Sequence, residues 1–399
     1  MKKILIVLAM LSLIYTGCAT SETSTGTKDI TAPDTIGIDT GVVIGEDTTV
    51  NHNYGPKDYY DLGYSHYTNK EYDLAVNMLK KAIADSSDFI SAYILLSHTY
   101  EGMGLNDAAE KTLLDAKRKS PNNPEIYYSL GRLCYDMGEY SKADEMYYNA
   151  IKADSTYAYA YLGLGLDCQM RNEKKKSIDF YRKAYKLDPK NEEVAIAYSK
   201  SLLELGKYND AIPILEWLSS QHPRDLQIKL NLGDAYLGAK KYDKALVIFK
   251  QLAVSMPKYA PIYTRIAQAY QNLKQYNSAK KYYEKAIEVN PKSEPAYYLY
   301  AQMYIEKLKN FTKAKLILDR AEKVNPNSAA VPVLRGDIYL YKAGKTSSYS
   351  TAIKTLKKAI AYYKIGLSKN DPSWSNYANS RIRYANKRIK FYTQKIEGY

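Results

Sequence analysis

The 399 residues could fill two or three globular domains, but 43 Tyr against 5 Phe and 2 Trp is a poor composition for a thick apolar core. A tyrosine ring supplies packing area while its hydroxyl reaches water, so this balance suits a thin, half-exposed core and excludes a compact globule built on Phe and Ile. The net charge of +14 is uneven, −3 over residues 1–53 and +17 over the rest, and a basic surface attracts nucleic acid, anionic lipid headgroups or acidic protein, between which the compartment decides.

Taken in chain order, Lys2-Lys3 and the apolar run from Ile4 to Leu11 have the charged and apolar regions of a secretory signal. The run ends near Tyr15, too short to span a bilayer comfortably. The next residues, Tyr15-Thr16-Gly17-Cys18, resemble a bacterial lipobox, with Tyr15 where that family usually has Leu. The resemblance implies a signal peptide over 1–17, cleavage before Cys18, and acylation of its thiol and of the new amine by chains such as palmitate. Several acyl chains anchor a protein stably where one would not. Ala19 rather than Asp follows the Cys, which implies the outer membrane, facing the periplasm. Residues 19–53 are rich in Thr, Gly, Asp and Ser and contain no aromatic residue, so 18–53 reads as a lipid-anchored flexible tether. In that compartment no nucleic acid is expected.

From residue 56 onward the same residue types return every 34 positions. Tyr59, Tyr93, Tyr127, Tyr161, Tyr263 and Tyr297 share one slot. Four residues on stand Gly63, Ser97, Gly131, Gly165, Ser199, Gly233, Ala267 and Ala301. Ala75, Ala109, Ala143, Ser177, Ala211, Ala245 and Ala279 fill a third slot, and Pro121, Pro189, Pro223, Pro257 and Pro291 close units at a common offset. The pattern resembles the tetratricopeptide repeat at every signature slot. The resemblance implies an all-α solenoid over 54–372, a right-handed superhelix of nine helix-turn-helix units starting near 56, 90, 124, 158, 192, 226, 260, 294 and 329. Small residues let paired helices approach, and large aromatic slots fill the gaps between them.

Tyr72-Asp73, Tyr140-Ser141, Tyr208-Asn209, Tyr242-Asp243 and Tyr276-Asn277 announce the second helix of their units, with the short polar residue expected as its N-cap. Gly104, Gly138 and Gly206 stand where first helices must stop. Pro213 falls about one turn inside a second helix, where it should cost one hydrogen bond without breaking the helix. Beyond the repeats, Trp374, Tyr377, Ala378, Ile382, Ala385 and Ile389 recur at helical spacing among basic residues. Residues 373–399 are therefore expected to form a basic capping helix, with a helix lying on a membrane surface as the competing reading.

Catalytic chemistry is hard to find. Cys134 and Cys168 are 34 residues apart in one slot, so they should sit in neighbouring units as buried thiols, too far apart for a disulfide. His52, His66, His98 and His222 have no partner at metal-ligand spacing, and there is no phosphate loop, nucleophile elbow or HExxH. No catalytic residue, metal or cofactor is expected, and an enzyme is the least favoured reading.

The groove is the feature that can do work. In tetratricopeptide arrays the concave face is lined by first helices at unit positions 2, 5, 6, 9, 12 and 13. By that resemblance Tyr60, Tyr64, Tyr67, Ile94, Leu95, Tyr128, Tyr135, Tyr159, Leu162 and Leu166 form an aromatic and apolar zone, suited to a partner's hydrophobic segment. Packing between adjacent helices is the competing role for those tyrosines. Lys200, Asn231, Arg265, Gln268, Gln271 and Asn272 form a polar zone. Asn231 and Arg265 match slots of the family's carboxylate clamp, whereas Ile196, Lys200 and Pro261 do not, which implies an acidic-peptide site looser than a clamp. The expected function is a membrane-anchored protein–protein interaction adaptor in a bacterial envelope assembly, serving secretion, motility, pilus or outer-membrane biogenesis. A regulator of cell-wall enzymes is the alternative.

Overall fold

The computed structural model describes residues 54–398, so the expected signal peptide, Cys18 and the tether lie outside it. Among the described residues every regular element is an α-helix, and the chain divides at Leu202 into two units. The first unit contains α1 (Pro56–Thr68), α2 (Tyr72–Asp85), α3 (Ile90–Gly102), α4 (Asn106–Lys119), α5 (Pro124–Asp136), α6 (Tyr140–Ala153), α7 (Ala158–Met170), α8 (Lys174–Leu187) and the start of α9 (Glu192–Glu204). The second contains α10 (Tyr208–Gln221), α11 (Leu226–Gly238), α12 (Tyr242–Ser255), α13 (Ala260–Asn272), α14 (Tyr276–Val289), α15 (Glu294–Glu306), α16 (Phe311–Val324), α17 (Ala330–Ala343), α18 (Tyr349–Leu367) and α19 (Pro372–Ile396). Odd-numbered helices up to α17 are the first members of pairs and even-numbered ones the second.

In most pairs the turn between the two helices is built from backbone. After α1, Lys70 N–H donates to Tyr67 O and Glu71 N–H to His66 O, both at 2.9 Å. These are the two bonds of a Schellman stop, which needs a left-handed residue between them. Lys70 supplies it at φ 63°, and Gly104, Gly138 and Gly206 do so after α3, α5 and α9 at 76°, 78° and 68°. The three glycines thus end their helices as expected. The expected N-caps are overturned. Glu71, Glu139, Lys207, Lys241 and Gln275 occupy the N-cap position without a side-chain bond. Asp73, Ser141, Asn209, Asp243 and Asn277 therefore lie one full step inside their helices, because the Schellman stop itself delivers the chain into the next helix. Side-chain caps are found instead at Asn123, Asp225, Asn310, Ser348 and Asp371. The α10 helix runs unbroken through Pro213.

Within a pair, a small residue on the first helix faces a large one sixteen positions later. A Cβ on Gly131 would lie 2.6 Å from the Tyr147 ring, on Gly165 2.4 Å from Tyr181, and on Gly233 2.5 Å from Phe249. These rings are buried, Tyr181 and Phe249 completely. The expected half-exposed role for tyrosine is thus incomplete, since Tyr147, Tyr181, Tyr283 and Tyr363 are among the largest fully buried side chains. Where such a hydroxyl is deepest it finds an acceptor: Tyr181 donates to Gln169 Oε1 at 2.7 Å and Tyr283 to Gln271 Oε1 at 2.9 Å.

α19 closes the stack. Its buried side chains are Trp374, Ala378, Ala385 and Tyr392, and it is tied to the last pair by one carboxylate. Asp337 on α17 accepts from Tyr363 of α18 and Tyr377 of α19, both at 2.7 Å, and pairs with Arg381 at 3.3 Å. No described helix is long and apolar enough to cross a membrane.

Candidate docking surface

In the first unit, α1, α5 and α7 carry the tyrosines that the repeat register singled out. Tyr60 is half-buried against Phe89, ring centres 5.2 Å apart, and Tyr67 against Tyr72 at 6.1 Å. Tyr64 is 40 % exposed. Tyr128 and Tyr159 stand 5.4 Å apart, and Tyr157 completes the cluster at 6.0 Å from Tyr128 and 5.8 Å from Tyr159. Tyr135 packs edge-on against Tyr140. Ile94, Leu95 and Leu162 are buried and Leu166 half-buried, so this part of the expected apolar zone is core rather than wall.

Charges set among these rings complete the surface. Arg132 on α5 donates to Glu101 of α3 at 2.6 Å. The fields of Glu101 and Arg132 reach Tyr67, those of Glu193, Asp136 and Arg132 reach Tyr128, and those of Glu125 and Glu193 reach Tyr157. Desolvation holds the carboxyls of Glu101, Glu125, Asp136 and Glu193 above the usual carboxylate range, with Arg132 opposing it at Glu101, Asp136 and Glu193. The same desolvation, reinforced by Arg132, lowers His98 to about 3, so its ring is neutral, with Nε2 buried and without a hydrogen-bond partner. Three of the four carboxyls thus share one neighbouring cation, and Glu125 has desolvation alone. These residues are not among those expected to line the groove, although they stand at the register offsets of its wall: position 2 for Glu125 and Glu193, 9 for His98 and Arg132, 12 for Glu101 and 13 for Asp136.

The polar zone is differently built. Arg265 is only 3 % exposed, and its guanidinium grips Asp234 of the preceding first helix at 2.5 and 2.9 Å. A buried, paired guanidinium is not presented to a peptide, so Arg265 lies beneath the face on which its register placed it. Asn231 accepts from Gln227 at 2.9 Å, Asn272 donates to the Gln268 carbonyl at 2.8 Å, and Gln271 serves Tyr283. Lys200 is exposed on α9, in the first unit. In the second unit each of Asn231, Arg265, Gln271 and Asn272 is thus engaged by a partner in its own unit.

Cys134 and Cys168 are free thiols, both raised by burial. No group of three or more His, Cys, Asp or Glu able to hold a metal occurs among the described residues.

Three models of the tetratricopeptide repeat match the chain: one at residues 124–157 and 260–293, a second at 66–133, 175–230 and 202–269, and a third at 282–315. Together they cover more than half of it. No curated protein matches. Solved structures similar to the chain include YrrB, a tetratricopeptide-repeat protein with an unusual peptide-binding site, 22% identical over 48% of this chain and 97% of its own, TM-score 0.45. A tetratricopeptide-repeat protein from Parabacteroides merdae is 17% identical over 74% of this chain and 98% of its own, TM-score 0.39. TTC0263 from Thermus thermophilus is 20% identical over 46% and 100%, TM-score 0.39.

Proposed function

This chain belongs to the tetratricopeptide-repeat family, and on that footing we propose that it is an adaptor of a bacterial envelope assembly, anchored to the outer membrane through acylated Cys18, that docks partner proteins on the wall of its first unit. Repeat arrays of this kind are typically interaction scaffolds without catalysis. The observation that carries the reading is the Tyr128, Tyr157 and Tyr159 cluster set among Glu101, Glu125, Asp136 and Glu193. These half-buried rings supply apolar anchors, and partly desolvated carboxyls gain most from a cation that replaces lost water. The partner segment that fits is amphipathic, with apolar and Lys or Arg side chains. Anchorage would add effective concentration to each contact.

Two measurements test the two halves of this proposal. Crosslinking in the native cell followed by mass spectrometry should recover a partner with the wild-type chain and lose it with Glu125→Lys/Glu193→Lys; an unchanged partner set rejects the wall. Cys18→Ala should abolish labelling by a radioactive fatty acid and release the chain from the outer-membrane fraction. Retention of the label rejects the anchor.

A further inference from the structure

The chain's positive charge is concentrated at one end. Residues 54–201 hold 20 basic and 22 acidic residues, net −2, whereas residues 338–399 hold 13 basic and 2 acidic, net +11. Between Asp337 and Asp371, and again between Asp371 and Glu397, there is no carboxylate side chain. Such a density of like charge repels itself and is tolerated where an anionic counterpart offsets it.

The α19 helix divides this charge by face. Its inner side is taken up by Trp374, Ala378, Ala385 and Tyr392 and by the bonds to Asp337. Arg383, Lys387 and Lys390 are exposed on the opposite side, within about 60° of one another at 100° per residue. Along their edge run Tyr384 and Phe391, one two-turn step apart and 51 % and 47 % exposed, with Lys395 Nζ 6.0 Å from the Phe391 ring centre. Capping and surface binding are therefore not competing roles of this helix, because they use different sides of it.

We propose that the outer face of α19 rests on an anionic bilayer surface, with Arg383, Lys387 and Lys390 against lipid phosphates and Tyr384 and Phe391 at the headgroup level. A convex helix face fits a plane better than it fits a strand, and rings interleaved with cations on one side are the pattern of interfacial helices. Each basic residue near an anionic leaflet adds a roughly equal increment of affinity within a Debye length. This assignment is independent of the docking wall and of Cys18 and would stand if neither had its proposed role.

The test is flotation of the full chain carrying Cys18→Ala with vesicles of phosphatidylcholine and phosphatidylglycerol, 3:1, against phosphatidylcholine alone. Replacing Arg383, Lys387 and Lys390 together by Gln should weaken binding to the anionic vesicles by about 100-fold. The three side chains are exposed, so the fold is kept, and both proteins share residues 1–53, so their difference reports on α19 alone. Tyr384→Ser/Phe391→Ser should abolish the binding that survives 0.5 M salt, where phosphate contacts are screened. Equal flotation of the wild type and the triple variant overturns the proposal. So does a wild type that shifts a DNA or polyglutamate probe through the same three residues yet fails to float.

Discussion

Lys70, Lys240 and Lys274 hold a left-handed backbone, at φ 63°, that the Schellman stop requires and a side chain resists. Lys274→Gly should therefore raise the midpoint of urea unfolding by the equivalent of about 1 kcal/mol. Gly138→Ala should lower it by a similar amount, although a Cβ there would touch nothing within 4 Å, so a null result would reject backbone strain as the cause. Asp167 on α7 offers a second test. Burial, and then Asp144, raise its carboxyl from 3.8 to about 6, against the attraction of Arg171 and with a small push from Glu173. The folded chain then binds more protons than the unfolded chain between about pH 4 and 6. The stability from this group is present below the unfolded value and is lost as pH rises through 6. Asp167→Asn, which keeps the Arg171 bond to Asp144 at 2.7 Å, should be more stable than wild type by about 1–3 kcal/mol at pH 7.5 and equal at pH 3.5. Thermal midpoints at the two pH values check both.

Pairs of helices owe their closeness to the glycine slots. Gly131→Ala would set a methyl 2.6 Å from the Tyr147 ring, and overpacking of this kind costs about 1–3 kcal/mol. Gly131→Ala/Tyr147→Leu should recover most of that loss, which a double-mutant cycle would show as coupling. The fold was legible for the same reason: a small residue opposite a large one, repeated at 34, has no simpler explanation than stacked hairpins. The N-caps are not legible in this way, because the sequence shows which short polar residues are near a helix start but not that a backbone motif has already satisfied the turn. The site was half legible. Register located the tyrosines, yet it could not separate presented from buried side chains, and Arg265 shows why. Its slot faces the concave side, but Asp234 at a neighbouring offset draws it inward. Asp234→Ala would leave that guanidinium buried without a counter-ion, and about 3–5 kcal/mol should be lost. A loss below about 1 kcal/mol would return Arg265 to the surface as a candidate ligand for acidic peptides.

Within each unit, the described helices make their substantial contacts with helices that are consecutive or next but one in the chain. Contacts so local make the stability of a unit a sum of local terms, and an end can open without its neighbours. The end most exposed to this holds net +11 over residues 338–399 and is tied down by one carboxylate. Asp337→Ala removes the acceptor of two buried hydroxyls and the counter-ion of Arg381 at once. Its effect should stay within α17, α18 and α19, because those are the helices that Asp337 joins. Native-state hydrogen exchange should show amides there losing about 100-fold or more in protection, while amides of residues 54–201 keep theirs. Salt should restore part of the loss by screening the repulsion that the lock now restrains. Uniform loss of protection along the chain would instead mean that the stack unfolds as one cooperative body. In that case an anionic surface bound at α19 would stabilise the whole molecule and not merely its last three helices.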